Sequence, residues 1–318
     1  MLKNSSKKKI ITSSLVLCIA FLIYFIPTEK EITINIKEEI EYVNNEIKTH
    51  DIYLLDSNNY ISRTKIRITS TTNEDIAKEL INALIQNGIK QDFIPSGFKP
   101  TINSNTKINS LKIDNETLKL DLSKDYLDNN KEMEEKTLES LIYTLTSIEN
   151  IKYVILYIDG NILTELPLNK IKLPDTLSRN IGINKKYNLS STKNITTTTT
   201  YFISEFNENY YYTPITTVSN DDREKIEIII DTLNSTTNDK KLMSYLNNNV
   251  NLLNFEIIEN TMQVNFDENI FTNLEDYQIL EEVLYTISLS IYDNYHVKEV
   301  VFMVNNEKIT KTVAKSLE

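Results

Sequence analysis

Leu111-Lys112-Ile113-Asp114-Asn115-Glu116-Thr117-Leu118-Lys119-Leu120-Asp121-Leu122 is the stretch whose reading decides the fold. Leu and Ile alternate with polar residues on both sides of the turn-forming cluster Asp114-Asn115-Glu116, so the segment reads as a β-hairpin with one buried face. The pattern returns in Phe255-Glu256-Ile257-Ile258-Glu259-Asn260-Thr261-Met262-Gln263-Val264-Asn265-Phe266. Each hairpin precedes a helical segment, holding Leu141-Ile142-Tyr143-Thr144-Leu145 in one case and Val283-Leu284-Tyr285-Thr286-Ile287 in the other. Each copy then closes on a strand, Val154 to Asp159 or Val300 to Asn305. About 145 residues separate the copies, too long a period for a solenoid, so a whole domain is duplicated. What repeats is a hydrophobic pattern, not a set of reactive side chains, which points away from an enzyme.

Outward from the first hairpin, Asp51–Leu55 and Thr64–Thr69 read as strands. A helix follows, capped by Thr72 or Asn73, with Glu74 and Asp75 in its first turn and a stripe of Ala77, Leu80, Ile81 and Leu84. Asn87-Gly88 stops it. A second helix, from about Glu132 to Ser147, buries Leu138, Leu141, Ile142 and Leu145. In the second copy, strands at Tyr201–Ile203 and Tyr210–Thr217 precede a helix with the stripe Ile226, Ile229, Ile230 and Leu233. The fold class is α+β: two tandem two-layer domains, helices packed on a mixed sheet, at residues 51–170 and 200–314. Residues 171–199 read as a Ser/Thr-rich linker, and the polar run from Ser190 through Thr200 as a tether.

An N-terminal transmembrane helix is expected ahead of these domains. Lys3 and Lys7-Lys8-Lys9 precede an uncharged apolar run from Ile10 to Ile26, which ends at Pro27. At 1.5 Å rise per residue the run reaches about 25 Å, the short end of a membrane span. Lysines before it, and Glu29 and Glu31 after it, orient the N-terminus to the cytoplasm and the domains outside. Tyr24-Phe25-Ile26 offers no small-residue cleavage site, and Leu17 precedes Cys18 where a lipoprotein signal has a small residue. Residues 1–28 are therefore read as cytoplasmic tip and uncleaved signal anchor of a single-pass protein of the cell membrane, with residues 10–26 as its contact with the bilayer. Ile36, Ile40, Val43 and Ile47 make residues 29–50 a short stalk.

The 318 residues carry a formal charge of −11, which disfavours nucleic acid as a partner. Four glycines cannot furnish Gly-rich phosphate loops, and a single cysteine excludes an internal disulfide. His50 and His296, the only two histidines, read as exposed polar residues. No serine elbow, His-Glu-x-x-His or cysteine pair is present, so no catalytic residue and no cofactor are expected. One calcium candidate is the set Asp121, Ser123, Asp125 and Glu132, spaced with Asn129 like an EF-hand loop. Tyr126 stands where that loop needs glycine, and a strand leads in where a helix should, so the same residues also read as strand-to-helix caps. Tyr143 and Tyr285 read as core, and Pro95 and Gly97 most simply as a turn; the sharper alternative is that the turn displays Phe98 to a partner.

The motifs of the first copy resemble those of the GerM domain, a sporulation and spore germination family. They are Pro95-Ser96-Gly97, then Asp121-Leu122-Ser123 after the hairpin, Tyr143-Thr144-Leu145 in the helix and Asp159-Gly160 at the closing strand. The second copy lacks the Pro-x-Gly turn, places Asn265-Phe266-Asp267 for Asp-Leu-Ser, and Asn305-Asn306 for Asp-Gly. The resemblance implies a non-catalytic role. It also implies modules akin to the ring-building parts of secretion-type complexes, with Pro95, Gly97, Phe98, Asp121, Ser123, Tyr143 and Thr144 as motif and interaction positions. Two function classes follow: a membrane-anchored assembly protein of a sporulation-type envelope complex, working through self-association or a protein partner, or an extracytoplasmic binding protein for a cell-wall or soluble ligand.

Overall fold

The structure, a computed structural model, describes residues 48–235, 239–272, 277–295 and 297–313. The expected anchor, and the stalk as far as residue 47, lie outside the described residues, as does His296. Thr49 and His50, read as the end of the stalk, instead open the first strand and pair with Arg67 and Ile66. Among the described residues no helix is long and apolar enough to cross a membrane.

The first copy runs β1 (Thr49–Asp56), β2 (Ile61–Arg67), α1 (Asn73–Leu84), β3 (Phe98–Lys99), β4 (Ile108–Asp114), β5 (Thr117–Leu122), α2 (Lys131–Leu145), β6 (Tyr153–Ile158) and β7 (Asn161–Ile162). After β8 (Lys186–Asn188), the second copy runs β9 (Thr196–Phe206), β10 (Asn209–Ser219), α3 (Lys225–Asn234), β11 (Leu252–Ile258), β12 (Thr261–Phe266), α4 (Glu281–Tyr295), β13 (Glu299–Val304) and β14 (Glu307–Val313). The α+β reading is correct, and the two hairpins form as the alternation predicts. Asn115 takes the left-handed conformation in the β4–β5 turn, which Asn tolerates better than most residues.

Each copy builds a four-stranded mixed sheet in the same order, β4-β5-β6-β7 and β11-β12-β13-β14, with a parallel central pair. Leu118, Leu120 and Leu122 in one copy, and Met262, Val264 and Phe266 in the other, are fully buried against the helices. The two-layer picture needs one amendment. The entry hairpins β1–β2 and β9–β10 leave these sheets and join each other, because β10 pairs with β2 at Tyr212 and Arg63. The result is a third, six-stranded sheet shared by both copies, which belong to one compact unit.

The tether reading is overturned. Thr196–Thr200 open β9 and pair along β10, from Thr196 opposite Ser219 to Thr200 opposite Ile215. Thr198, Thr199 and Thr200 are buried, and the Thr199 and Thr216 hydroxyls meet at 2.9 Å. Threonine is polar but β-branched, so a strand suits it when its hydroxyl finds a partner. The linker is likewise built in. Leu177 bridges Val154, Ile183 is fully buried, and β8 runs parallel to the end of β10.

The helix alignment of the copies also needs correction. Setting Leu141–Leu145 against Val283–Ile287 pairs Tyr143 with Tyr285, but Tyr53 N donates to Thr144 Oγ1 in one copy and Tyr201 N to Ser290 Oγ in the other. Thr144 thus corresponds to Ser290 and Tyr143 to Leu289, four residues beyond the textual match. A shift of four is about one helical turn and keeps an apolar stripe on the same face, so periodicity alone cannot fix the register.

The seam between the copies as candidate functional site

Where β1 and β9 would expose an edge of the shared sheet, a helix covers it. Ser140 and Thr144, one turn apart on α2, bond Tyr53 O at 2.6 Å and Tyr53 N at 2.9 Å. On α4, Ser290 takes Tyr201 N at 2.9 Å, while Asn294 accepts from Thr199 N and donates to Thr199 O. Backbone groups that would need a strand neighbour are satisfied by side chains instead. The same contacts place Tyr53 and Tyr201 in equivalent positions, each fully buried, with their hydroxyls 2.9 Å apart.

Tyr201 donates its proton to Asp293 Oδ2 at 2.8 Å, so Tyr53 is the donor in the tyrosine pair. Asp293 Oδ1 is bound in turn by the guanidinium of Arg179, which stands in the short 3₁₀ turn of the linker. Arg179 also donates to Tyr143 O and to Thr146 Oγ1, and its guanidinium lies 4.9 Å from the Tyr143 ring centre and 5.4 Å from that of Tyr53. Tyr143, itself fully buried, returns a hydrogen bond to Arg179 O. One cluster therefore ties together both copies and the linker.

Burial, with the Asp293 charge adding to it, pushes the Tyr143 and Tyr201 phenols well above their ordinary range, and burial raises Tyr53 likewise. Burial alone would pull Arg179 down, but the Asp293 charge outweighs it and holds the guanidinium well above its usual value. The three phenols therefore keep their protons at neutral pH and act in the cluster as hydrogen-bond donors. A cavity of about 350 Å³ opens beside the cluster, bordered by a second ion pair, Asp51 with Arg63 at 2.8 Å.

A second set of contacts crosses the seam at Asp56. This buried carboxylate accepts from Asn58 N and Tyr60 N on one oxygen, and from Ser62 Oγ and Tyr211 OH on the other. The Ser62 hydroxyl also meets Thr213, and Thr213 meets Ser204. Pro95 and Gly97 do make a turn, but it faces the second copy. Gly97 has φ +91°, and a Cβ there would fall 2.6 Å from the Phe206 ring, which requires glycine. Phe98 is half-buried and packs edge-on against Tyr211, with ring centres 4.9 Å apart. The plain turn reading agrees with this, and in the alternative reading the group offered to a partner is met by this chain's own second half.

The remaining motif residues close strand ends. Asp121 Oδ1 accepts from Gly160 N at 3.1 Å, joining the Asp-Leu-Ser segment to the Asp-Gly turn. In the second copy Asn265 Oδ1 accepts from Asn306 N at 3.0 Å, so both departures from the pattern occur together and preserve one bond. Ser123 Oγ accepts from Lys107 N, as Asp267 Oδ1 does from Asn251 N. The calcium set is not brought together: Ser123 donates to Asp125, while Glu132 is engaged by Asn59 and Lys136. Among the described residues no group of three or more His, Cys, Asp or Glu could hold a metal. A 3₁₀ turn, Lys124–Leu127, follows the strand and separates these ligands, and Asn130 rather than Glu132 caps α2.

Sequence reading missed Tyr53, Tyr201, Asp293 and Arg179. Two signals were available: the tyrosine recurs at the same place in each copy, and Arg179 is one of only four arginines in a lysine-rich chain. Arginine is the cation whose planar fork suits a partly buried pair.

Comparison with known proteins agrees with the duplication. The family described as Germane, sporulation and spore germination, matches residues 51–164 and again 199–310. The chain is similar to the spore germination protein GerM of Bacillus subtilis (strain 168), 28% identical over 283 residues, covering 83% of this chain and 76% of that one. It is also similar to the solved tandem GerMN domains of the sporulation protein GerM from Bacillus subtilis. That likeness has a TM-score of 0.74 and 28% identity, covering 82% of this chain and 92% of the other.

Proposed function

Because the chain belongs to the Germane family of sporulation and spore germination proteins, we propose that it is a non-catalytic assembly protein of a sporulation-type envelope complex, held at the cell membrane by residues 10–26. The domains stand outside the cytoplasm and act by presenting surfaces to other proteins or to copies of themselves. The observation that carries this reading is the seam. Arg179, Asp293 and three tyrosines spend their polar groups on one another, which fastens two copies into one unit and leaves no reacting pair. A fixed two-domain body presents a constant set of surfaces, and confinement to a membrane raises their effective concentration, so weak contacts assemble.

Full-length chain reconstituted into vesicles should give oligomers, or one dominant partner from sporulating cells, when crosslinked. The form lacking residues 1–28 should give far less at equal bulk concentration. Monomer alone at membrane density, with no partner captured, would reject the assembly role in favour of ligand binding.

A further inference from the structure

The two copies differ at the edges of their four-stranded sheets. In the first, the edge strand β4 also has seven residues and, among the described residues, no strand on its outer side. Its exposed residues, however, are the polar Asn109, Ser110, Lys112 and Asp114, and Glu74 of α1 accepts from Ile113 N at 3.1 Å. Its other edge strand, β7, has only two residues, after which the chain folds back to pair Leu177 with Val154. In the second, the edge strands β11 and β14 have seven residues each, and among the described residues neither has a strand on its outer side. Leu253, Ile257 and Ile258 on β11 are exposed to 49%, 45% and 46%. A long apolar edge left open is a template for strand pairing, and natural folds blunt such edges unless they are used.

The register of this sheet aligns one row of residues across all four strands: Glu256 on β11, Gln263 on β12, Val301 on β13 and Lys311 on β14. The row shares one face and carries opposite charges at its two ends. Lys311 reaches Glu299 of its own copy at 3.4 Å and is otherwise exposed. β11 and β14 also run in the same direction, since each is antiparallel to one member of the parallel pair β12–β13.

We infer that β14 of one molecule pairs in parallel with β11 of a second copy of this chain, continuing the sheet from molecule to molecule with Lys311 set against Glu256. The contact is heterologous, head to tail, and so builds rings or filaments instead of closed dimers. Pairing of β11 with β11 would waste the charge asymmetry and leave β14 open. The inference rests on the self-association reading above and specifies its surface.

The test uses full-length chain with Cys18→Ala, carrying Glu256→Cys and Lys311→Cys together, reconstituted into vesicles and oxidised. Adjacent strands bring such pairs within disulfide reach. The expected product is a ladder of dimers, trimers and higher species, absent when Lys112→Cys on β4 replaces Glu256→Cys. Without the cysteines, Glu256→Lys should lower crosslinked oligomer about threefold, and adding Lys311→Glu should restore it, the size expected for an exposed ion pair. A dimer from Glu256→Cys alone would overturn the head-to-tail contact. No disulfide ladder, while a general amine–carboxyl crosslinker still yields oligomers, would overturn the edge inference and leave the assembly role standing. Absence of oligomers by both reagents would overturn both.

Discussion

The first copy closes its four-stranded sheet on a two-residue strand, and the second on a strand of seven residues. The cores obey one pattern, Leu118, Leu120 and Leu122 against Met262, Val264 and Phe266, yet the peripheries have diverged. The first copy spends its borders inward: Gly97 under Phe206, Phe98 against Tyr211, and the segment after β7 leading to Arg179. The second keeps its borders outward. Duplication preserved what folds a domain and freed one copy to fasten and the other to face away.

The seam gives the expected effect of widest reach. Asp293→Ala would leave the half-buried Arg179 without its counter-charge and should cost about 3 kcal/mol in urea unfolding, while Arg179→Met with Asp293→Leu should recover most of it. Probes placed in each copy should report one shared transition for the intact protein. Two separated transitions would mean that the copies fold independently and that the seam contributes little.

Helix truncation sharpens the alignment of the copies. Leu141→Ala and Ile287→Ala each empty a fully buried site and should cost about 2–5 kcal/mol. Leu284, which packs only at the rim of its core, should cost less on truncation to Ala. If Leu284 proved as costly as Ile287, the four-residue shift between the sequence match and the structure would be wrong.

The largest acid sensitivity should sit in the first copy. Asp239 and Asp267 of the second are also held below the ordinary carboxylate range, Asp239 by the Tyr60 hydroxyl first and Asp267, against its burial, by Asn251 among others. Glu79 on α1 is held down to about 2: its burial favours the neutral form, but Lys90 and the Ser70 and Thr69 hydrogen bonds prevail. A carboxylate depressed in the folded state adds stability that is complete above the ordinary carboxylate range and is lost as pH falls from about 4.5 toward 2. Glu79→Gln should remove on the order of 2 kcal/mol at neutral pH and flatten that acid limb in melts taken from pH 7 to pH 2. By the helical stripe the second copy has Ile228 there, buried and uncharged.

The smallest contrast is at the helix starts. Thr72 caps α1 by accepting from Asp75 N, whereas Glu224 at the start of α3 makes no such bond and Tyr295 OH accepts from Ile226 N instead. Thr72→Ala should cost about 1 kcal/mol and Glu224→Ala close to none, read from thermal melts. Equal losses would show that the two helix starts are held alike.

Much of this was legible from residues alone. Alternation placed both hairpins, the 3.6-residue stripe placed Ala77, Leu80, Ile81 and Leu84 in the core, and the Asp-Asn-Glu cluster placed the turn. Composition misled at Thr196–Thr200, where polarity suggested a tether and cross-strand hydroxyl pairs made a strand. The calcium-like spacing shows the limit of such motifs: spacing fixes order along the chain, not the direction in which Glu132 leaves its helix, where Asn59 donates to it.

The sequence by itself determined the local elements, the duplication and the family, because these follow from periodicity and turn chemistry acting over a few residues. Only the tertiary structure decided that the entry hairpins join in one sheet, that Arg179 meets Asp293 across 114 residues, and that the edge with exposed apolar side chains falls to the second copy. Such pairings depend on which backbone groups and charges remain unsatisfied after the local elements have formed, and packing settles that for the molecule as a whole.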